Sequence, residues 1–290
     1  MSKRMSNVCW DVDCDISKST MDRRIKNCTR HFGWQHAVEL ILERKVSFTA
    51  LRIAELGCGT GTTALTFGLL GASVTLIDFN RRVLEKARDL YSLYGCDAEL
   101  IQADCMKHHI AHLAERFDFI ISSGLAEHFI GDDRTKCIRY HRVLLKKGGV
   151  AYIGVPNKFS PFYQWVRSFR KVTGTWNLEI EIPFTPKELK EAAIRSGFKE
   201  SYVIGNALLR NDLIDYSRGF GSAVKQLLSA QVQERLQIHK ETKKIQSYST
   251  EDMRHYCKDM VAAVDLGYFK RPNFSLVNTF SAGIILFAFN

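Results

Sequence analysis

An apolar run, Leu51-Arg-Ile-Ala-Glu-Leu56, empties directly into Gly57-Cys-Gly-Thr-Gly61 and then into a helix-compatible segment. No other stretch restricts the fold as tightly. Alternating glycines lack a Cβ, so the backbone can enter positive φ and approach a ligand closely, while the amides that open the following helix point at it. The stretch reads as a strand, a ligand-cradling turn and a helix, with Glu55 adding a carboxylate just before the turn.

The turn alone leaves two ligand classes open. Gly59-x-Gly61-x-x-Ala64 fits the dinucleotide pattern G-x-G-x-x-A, and an acidic residue follows at Asp78. Further β-branched or apolar runs follow at 73–78, 98–104, 117–122 and 150–155, the last entered through Leu144-Leu-Lys-Lys-Gly-Gly149. Helical periods lie between them at 82–94, 106–116 and 134–145. Alternating strands and helices predict a parallel sheet covered on both faces. Near the end, Thr185-Pro-Lys-Glu188 has the form of an N-cap, a first-turn proline and a capping-box glutamate, and Gly197 suits the residue after that helix. A strand at 199–204 is then expected to pair with a terminal strand at 282–289.

Taken with these elements, Glu55-Leu-Gly-Cys-Gly-Thr-Gly61 resembles the first motif of class I methyltransferases that use S-adenosylmethionine. The resemblance runs through Asn157 and returns in the final strand pair. It implies a Rossmann-like α/β fold with a mostly parallel seven-stranded sheet, one antiparallel edge strand and helices on both faces. It also implies S-adenosylmethionine as cofactor and S-adenosylhomocysteine as product. The cofactor set implied is Glu55, Gly57, Cys58, Gly59 and Gly61 in the turn, Asp78 on the ribose hydroxyls with Phe79 beside it, Asp104 on the adenine amine with Cys105 and Met106 as neighbours, and Ser122 at the methyl-transfer face.

Composition bounds the rest. The 290 residues suit one elaborated α/β domain, and 46% hydrophobic with 25% charged residues is ordinary for a globular chain. No window is apolar enough for a membrane span and Met1-Ser-Lys-Arg4 lacks a signal-peptide core, so the chain is read as cytoplasmic. The eight cysteines show no C-x-x-C pairing and read as reduced thiols. Neither Cys9, Cys14 and Cys28 nor His108, His109 and His112 has the spacing of a known metal site, and no metal is assigned.

The formal charge of +10 would suggest nucleic acid if the core carried it, yet residues 51–156 hold 13 Lys and Arg against 12 Asp and Glu. Residues 157–176 hold 4 basic side chains and no acidic one. The basicity thus belongs to additions: an N-terminal helical cap (1–50), a basic aromatic lid segment (157–176) and a helical insertion (206–280), set around a core of 51–205 and 281–290. The insertion, with helical periods at 223–239 and 250–264, is read as a substrate cover or a homodimer contact.

In the lid segment, Ser160 and Pro161 read as N-cap and first helical residue. Phe162, Trp165, Val166, Phe169 and Val172 then fall on one helical stripe opposite Gln164, Arg167, Arg170 and Lys171. Phe159, Phe162, Tyr163, Trp165 and Phe169 are the expected lid over an apolar or aromatic acceptor. A helix packed with its basic side in water, a membrane-surface contact and an anion clamp are the alternatives.

Methyl transfer needs a base only when the acceptor atom carries a proton, and His128 with the adjacent Glu127 is the expected catalytic pair. Glu127-His-Phe129 also resembles the Glu-His-Val of quinone-biosynthesis O-methyltransferases, with Ala126 where that subgroup has a second Glu. The function expected is methylation of an O, N or C nucleophile of a small metabolite. The alternatives are an RNA methyltransferase that grips phosphates with its basic additions, and a cofactor-binding partner subunit without an acceptor pocket.

Overall fold

The computed structural model describes residues 17–106, 112–174, 176, 180–206, 247–267 and 281–290. The helical period at 223–239, most of the insertion, His108, His109 and the cysteines at 9 and 14 lie outside the described residues.

Two helices, α1 (Lys18–Arg30) and α2 (Phe32–Glu43), precede the sheet. They are separate because His31 is extended (φ −77°, ψ 140°) and serves as C-cap of one and N-cap of the next. The core then alternates as β1 (Arg52–Leu56), α3 (Thr62–Gly68), β2 (Ser73–Asp78), α4 (Arg81–Ser92), β3 (Ala98–Gln102), β4 (Phe117–Ser123), α5 (Asp132–Leu144) and β5 (Leu145–Pro156). The lid helix α6 (Pro161–Val172), α7 (Pro186–Arg195), β6 (Glu200–Gly205), α8 (Thr250–Asp265) and β7 (Gly283–Phe289) complete it.

The seven strands lie in the order β3-β2-β1-β4-β5-β7-β6. Strands β1 to β5 pair in parallel. The terminal strand β7 runs antiparallel between β5 and β6. That inserted antiparallel strand departs from the all-parallel 3-2-1-4-5-6 order of dinucleotide-binding sheets. Because β1 and β4 adjoin while their connections wind to opposite sides, a crevice opens at their C-terminal ends.

Side chains split by the two-residue period of a strand. In β5, Val150 and Tyr152 join a cluster with Trp34, Val38 and Ile41 of α2, whereas Ala151, Ile153 and Val155 join the opposite cluster with Ile138 of α5 and Leu189 of α7. Burial on both faces explains why these strands read as near-continuous apolar runs. Both proline-started helices are capped: Ser160 Oγ accepts from the Tyr163 amide, and Thr185 with Glu188 forms a full capping box. The described part of the insertion, α8, returns to pack Met253 and Cys257 beside Met21 and Ile25 of α1. Among the described residues, no helix is long and apolar enough to cross a membrane.

Candidate active site

The chain leaves β1 through Gly57, Gly59 and Gly61 at φ of +62°, +52° and +64°. Left-handed backbone of this kind favours glycine. Space separates their roles. A Cβ added at Gly59 would meet nothing within 4 Å, whereas one at Gly61 would press on Leu76 and Tyr91 at 3.0 Å. Gly59 therefore faces an open cradle, and Gly61 permits α3 to pack against its neighbours. Glu55 turns under the loop and accepts the Ala64 amide at 2.8 Å, and its burial pushes its pKa up to about 8. At the end of β2, Asp78 accepts from the Asn80 amide at 2.9 Å and from the Gly59 amide at 3.4 Å. Burial raises the Asp78 pKa as well.

These groups line a cavity of 360 Å³ whose charged members are Glu55, Asp78, Glu127 and Glu181, without a lysine or arginine. The lining offers no cation to a diphosphate, and a sulfonium placed beside these buried carboxyls would draw them toward the ionised form. The cavity thus fits S-adenosylmethionine better than a dinucleotide. Gly57, Cys58, Gly59 and Phe79 also line it. The N-terminal helices reach this end, since Arg24 of α1 donates to Thr60 at 3.4 Å.

Several expected cofactor residues lie elsewhere. Ser122 is fully buried, and its hydroxyl donates to His141 Nε2 at 2.8 Å while His141 Nδ1 donates to the Cys137 carbonyl at 2.9 Å. Its neighbour Ser123, on the opposite side of the strand, lines the cavity instead. Asp104 accepts the Met106 amide at 2.9 Å in a local turn, Cys105 belongs to the core cluster with Cys137, and neither these two nor Met106 lines the cavity. Thr60, Thr62, Thr63, Asn80 and Val83 do line it. Of these, only Asn80 carried a local signal, as a helix N-cap two residues after Asp78.

A second cavity, of 510 Å³, lies beneath α6. Its floor is Tyr152, Val155, Ile284 and Ile285, and its roof is Tyr163, Val166, Arg167 and Arg170. The roof positions recur at i, i+3, i+4 and i+7, one helical face, but not the face expected. Tyr163 is the single member of the expected lid set that lines the cavity. Phe159 and Trp165 are 57% and 55% exposed, and Trp165 stacks on Phe169 with ring centroids 6.4 Å apart. Phe162 is half-buried outside the lining. The apolar stripe was a misleading guide because the inward face is amphipathic, carrying Arg167 and Arg170 beside Tyr163 and Val166. His31, between α1 and α2, and Trp176, beyond α6, also contribute.

Ser123, Gly124, Glu127 and Glu181 line both cavities. Their position is fixed by stitching. A single-turn 3-10 helix at Ala126–His128 follows β4. The Ile182 amide donates to the Glu127 carbonyl at 2.8 Å, His128 Nδ1 donates to the Ile180 carbonyl at 2.6 Å, and Arg167 donates to the Glu181 carbonyl at 2.9 Å. Tyr163 donates its hydroxyl to Glu181 Oε1. Glu127 is buried with Oε2 unpartnered among the described residues, and burial, then the charge of Glu181, push its pKa up to about 8. His128 Nε2 stands 3.8 Å from Glu127 Oε1, too far for a hydrogen bond, and burial lowers its pKa. His128 lines the cofactor cavity and not the one beneath α6. Of the expected catalytic pair, Glu127 is the member at the junction.

Comparison with known proteins agrees with this geometry. Residues 53–149 match the family model described as Methyltransferase domain. The ubiquinone biosynthesis O-methyltransferase of Proteus mirabilis is 30% identical over 119 residues, which cover 41% of this chain and 47% of that protein. The protein of the same name from Glaesserella parasuis is 27% identical over 172 residues, covering 55% of this chain and 71% of that protein. A solved SAM-dependent methyltransferase from Archaeoglobus fulgidus is 13% identical, with a TM-score of 0.48 over 89% of this chain and 94% of that one. In most of these matches the chain spans about half the length of the curated relatives. Residues 53–149 thus carry the match to a methyltransferase domain, within the seven-stranded sheet described above.

Proposed function

We propose that the protein transfers a methyl group from S-adenosylmethionine to an oxygen, nitrogen or carbon nucleophile of a small acceptor held under α6. The observation that carries this reading is the shared wall: Ser123, Gly124, Glu127 and Glu181 separate a cavity suited to the cofactor from one with an apolar floor. When bound, S-adenosylmethionine supplies an electrophilic sulfonium methyl and becomes S-adenosylhomocysteine. Gly57, Gly59, Asp78 and Asn80 would hold it, with Cys58 and Phe79 against its sides. The protein's part is alignment and water exclusion, and holding two reactants in attack geometry is worth about 7–11 kcal/mol. Tyr152, Val155 and Ile285 would orient the acceptor from below and Val166 from above.

Where the acceptor atom carries a proton, Glu127, which lines both cavities, would take it. A carboxyl with a pKa near 8 is matched to that task, and a cation beside it lowers the pKa further toward neutrality. His128, held by Ile180 and lining the cofactor cavity alone, would stay off the acceptor. A membrane-surface contact is a second reading for the outer side of α6, where Val172 and Phe159 are 88% and 57% exposed beside Lys171. Loss of liposome retention in Phe159→Ser/Val172→Ser would support it, and retention that ignores both substitutions would discard it.

Transfer of label from methyl-tritiated S-adenosylmethionine into a fractionated cell extract tests the main reading. Label in small molecules is the expected result. Label confined to an RNase-sensitive fraction would overturn it in favour of RNA.

A further inference from the structure

The cavity beneath α6 is lined by both acids and arginines. Its acids, Glu127 and Glu181, are shared with the cofactor cavity. Arg167, Arg170 and Trp176 line the acceptor cavity alone. The arginines are not consumed by those acids. Glu181 is occupied by the Tyr163 hydroxyl, and no ion pair joins either arginine to a carboxylate among the described residues. Arg167 spends one terminal nitrogen on the Glu181 carbonyl and has its guanidinium 6.0 Å from the Trp176 ring centroid. The Nε atoms of both arginines are buried without a hydrogen-bond partner among the described residues.

Two arginines one helical turn apart that line the cavity without a carboxylate partner among the described residues present forked donors suited to an oxyanion. Resting on the reading of this cavity as the acceptor site, we propose that the acceptor carries an anionic group, a carboxylate or a phosphate, held by Arg167 and Arg170, with its apolar body on Tyr152, Val155 and Ile285 and its nucleophile directed at Glu127. The arginines would then be specificity determinants, placing the reacting atom by gripping the anionic group.

Probe binding to the full chain saturated with S-adenosylhomocysteine tests this. The probes are 2-naphthoate, 2-naphthyl phosphate and the neutral 2-naphthalenemethanol, with affinities read by calorimetry. The expected result is that at least one anion binds tenfold or more tightly than the neutral probe, and that Arg167→Met/Arg170→Met removes the preference while S-adenosylhomocysteine affinity stays within threefold. Which anion wins assigns carboxylate or phosphate. Should the double variant misfold, Arg170→Met alone serves, because the Arg170 guanidinium makes no hydrogen bond or ion pair among the described residues. Equal binding of all three probes, or a preference that survives both substitutions, would overturn the proposal and leave the methyltransferase reading intact. Failure of S-adenosylhomocysteine to bind at all would instead sink that reading.

Discussion

The two cavities that share Glu127 are built in opposite ways. The cofactor cavity draws most of its wall from consecutive residues, 55 to 63 and 78 to 83, and is acidic. The acceptor cavity draws on residues from His31 to Ile285 and brings arginines to an apolar floor. A site made by one strand, one turn and one helix keeps its chemistry in a short sequence window; a site made where distant elements meet does not. In the proposed reading the contrast also divides labour: the first side would hold the cofactor by backbone and carboxyl groups, and the second would select what receives the methyl.

Glu127, on the boundary, gives the largest test of that division. Glu127→Gln should lower methyl transfer by about 10²–10⁴-fold with little change in S-adenosylhomocysteine affinity. A parallel loss of affinity would place Glu127 on the cofactor side alone. In the wild type, transfer to a protonated acceptor should rise with pH through the region near 8 set by the raised Glu127 pKa, and flatten above it. The same shift has a stability sign. A carboxyl whose folded pKa exceeds its unfolded value of about 4.3 binds more protons when folded, so its favourable contribution is complete below that value and is lost as pH rises toward 8. Glu127→Gln should therefore gain stability relative to wild type between pH 5 and pH 8, on the order of 3 kcal/mol, in urea unfolding. An unchanged difference between the two pH values would mean that the carboxyl is not buried as described.

On the cofactor side, Asp78→Ala should weaken S-adenosylmethionine binding by about 1.5–3 kcal/mol, the range for hydrogen bonds to a charged group, with acceptor KM unaffected. Unaltered cofactor affinity would remove Asp78 from the site. On the lid, Val166→Ala should raise acceptor KM severalfold, while Trp165→Ser should leave it within twofold; the reverse order would show that the outward aromatics close over the site. The smallest effect is expected at Ser122→Ala, which breaks the bond to His141 at a cost of about 1 kcal/mol in stability and leaves cofactor affinity alone.

Local signals explain what the sequence made legible. The glycine turn, Asp78 at the end of a β-branched run, the capped starts of α6 and α7 and the pairing of the terminal strand each depend on neighbours within a few residues or on strand periodicity. The helix over 161–172 was legible, but its rotation was not. Apolar periodicity assigns the buried face by hydrophobicity, and here the face toward the cavity includes Arg167 and Arg170 while Trp165 and Phe169 stack outside. Ser122 and Ser123 show the same limit in a strand, where one residue of register decides between the helix side and the cavity. Trp176, Glu181 and His31 reach the acceptor cavity only through tertiary packing, which no local pattern announces.

Filling the acceptor cavity is the most direct trial of the central claim that methyl transfer takes place beneath α6. Val166 is buried in the roof, and Val166→Trp would place an indole in the space assigned to the acceptor. The account predicts S-adenosylhomocysteine affinity within threefold of wild type and loss of label transfer from methyl-tritiated S-adenosylmethionine to small molecules. Label transfer at the wild-type rate by that variant, with the cofactor still bound, would contradict it and move the reaction out of this cavity.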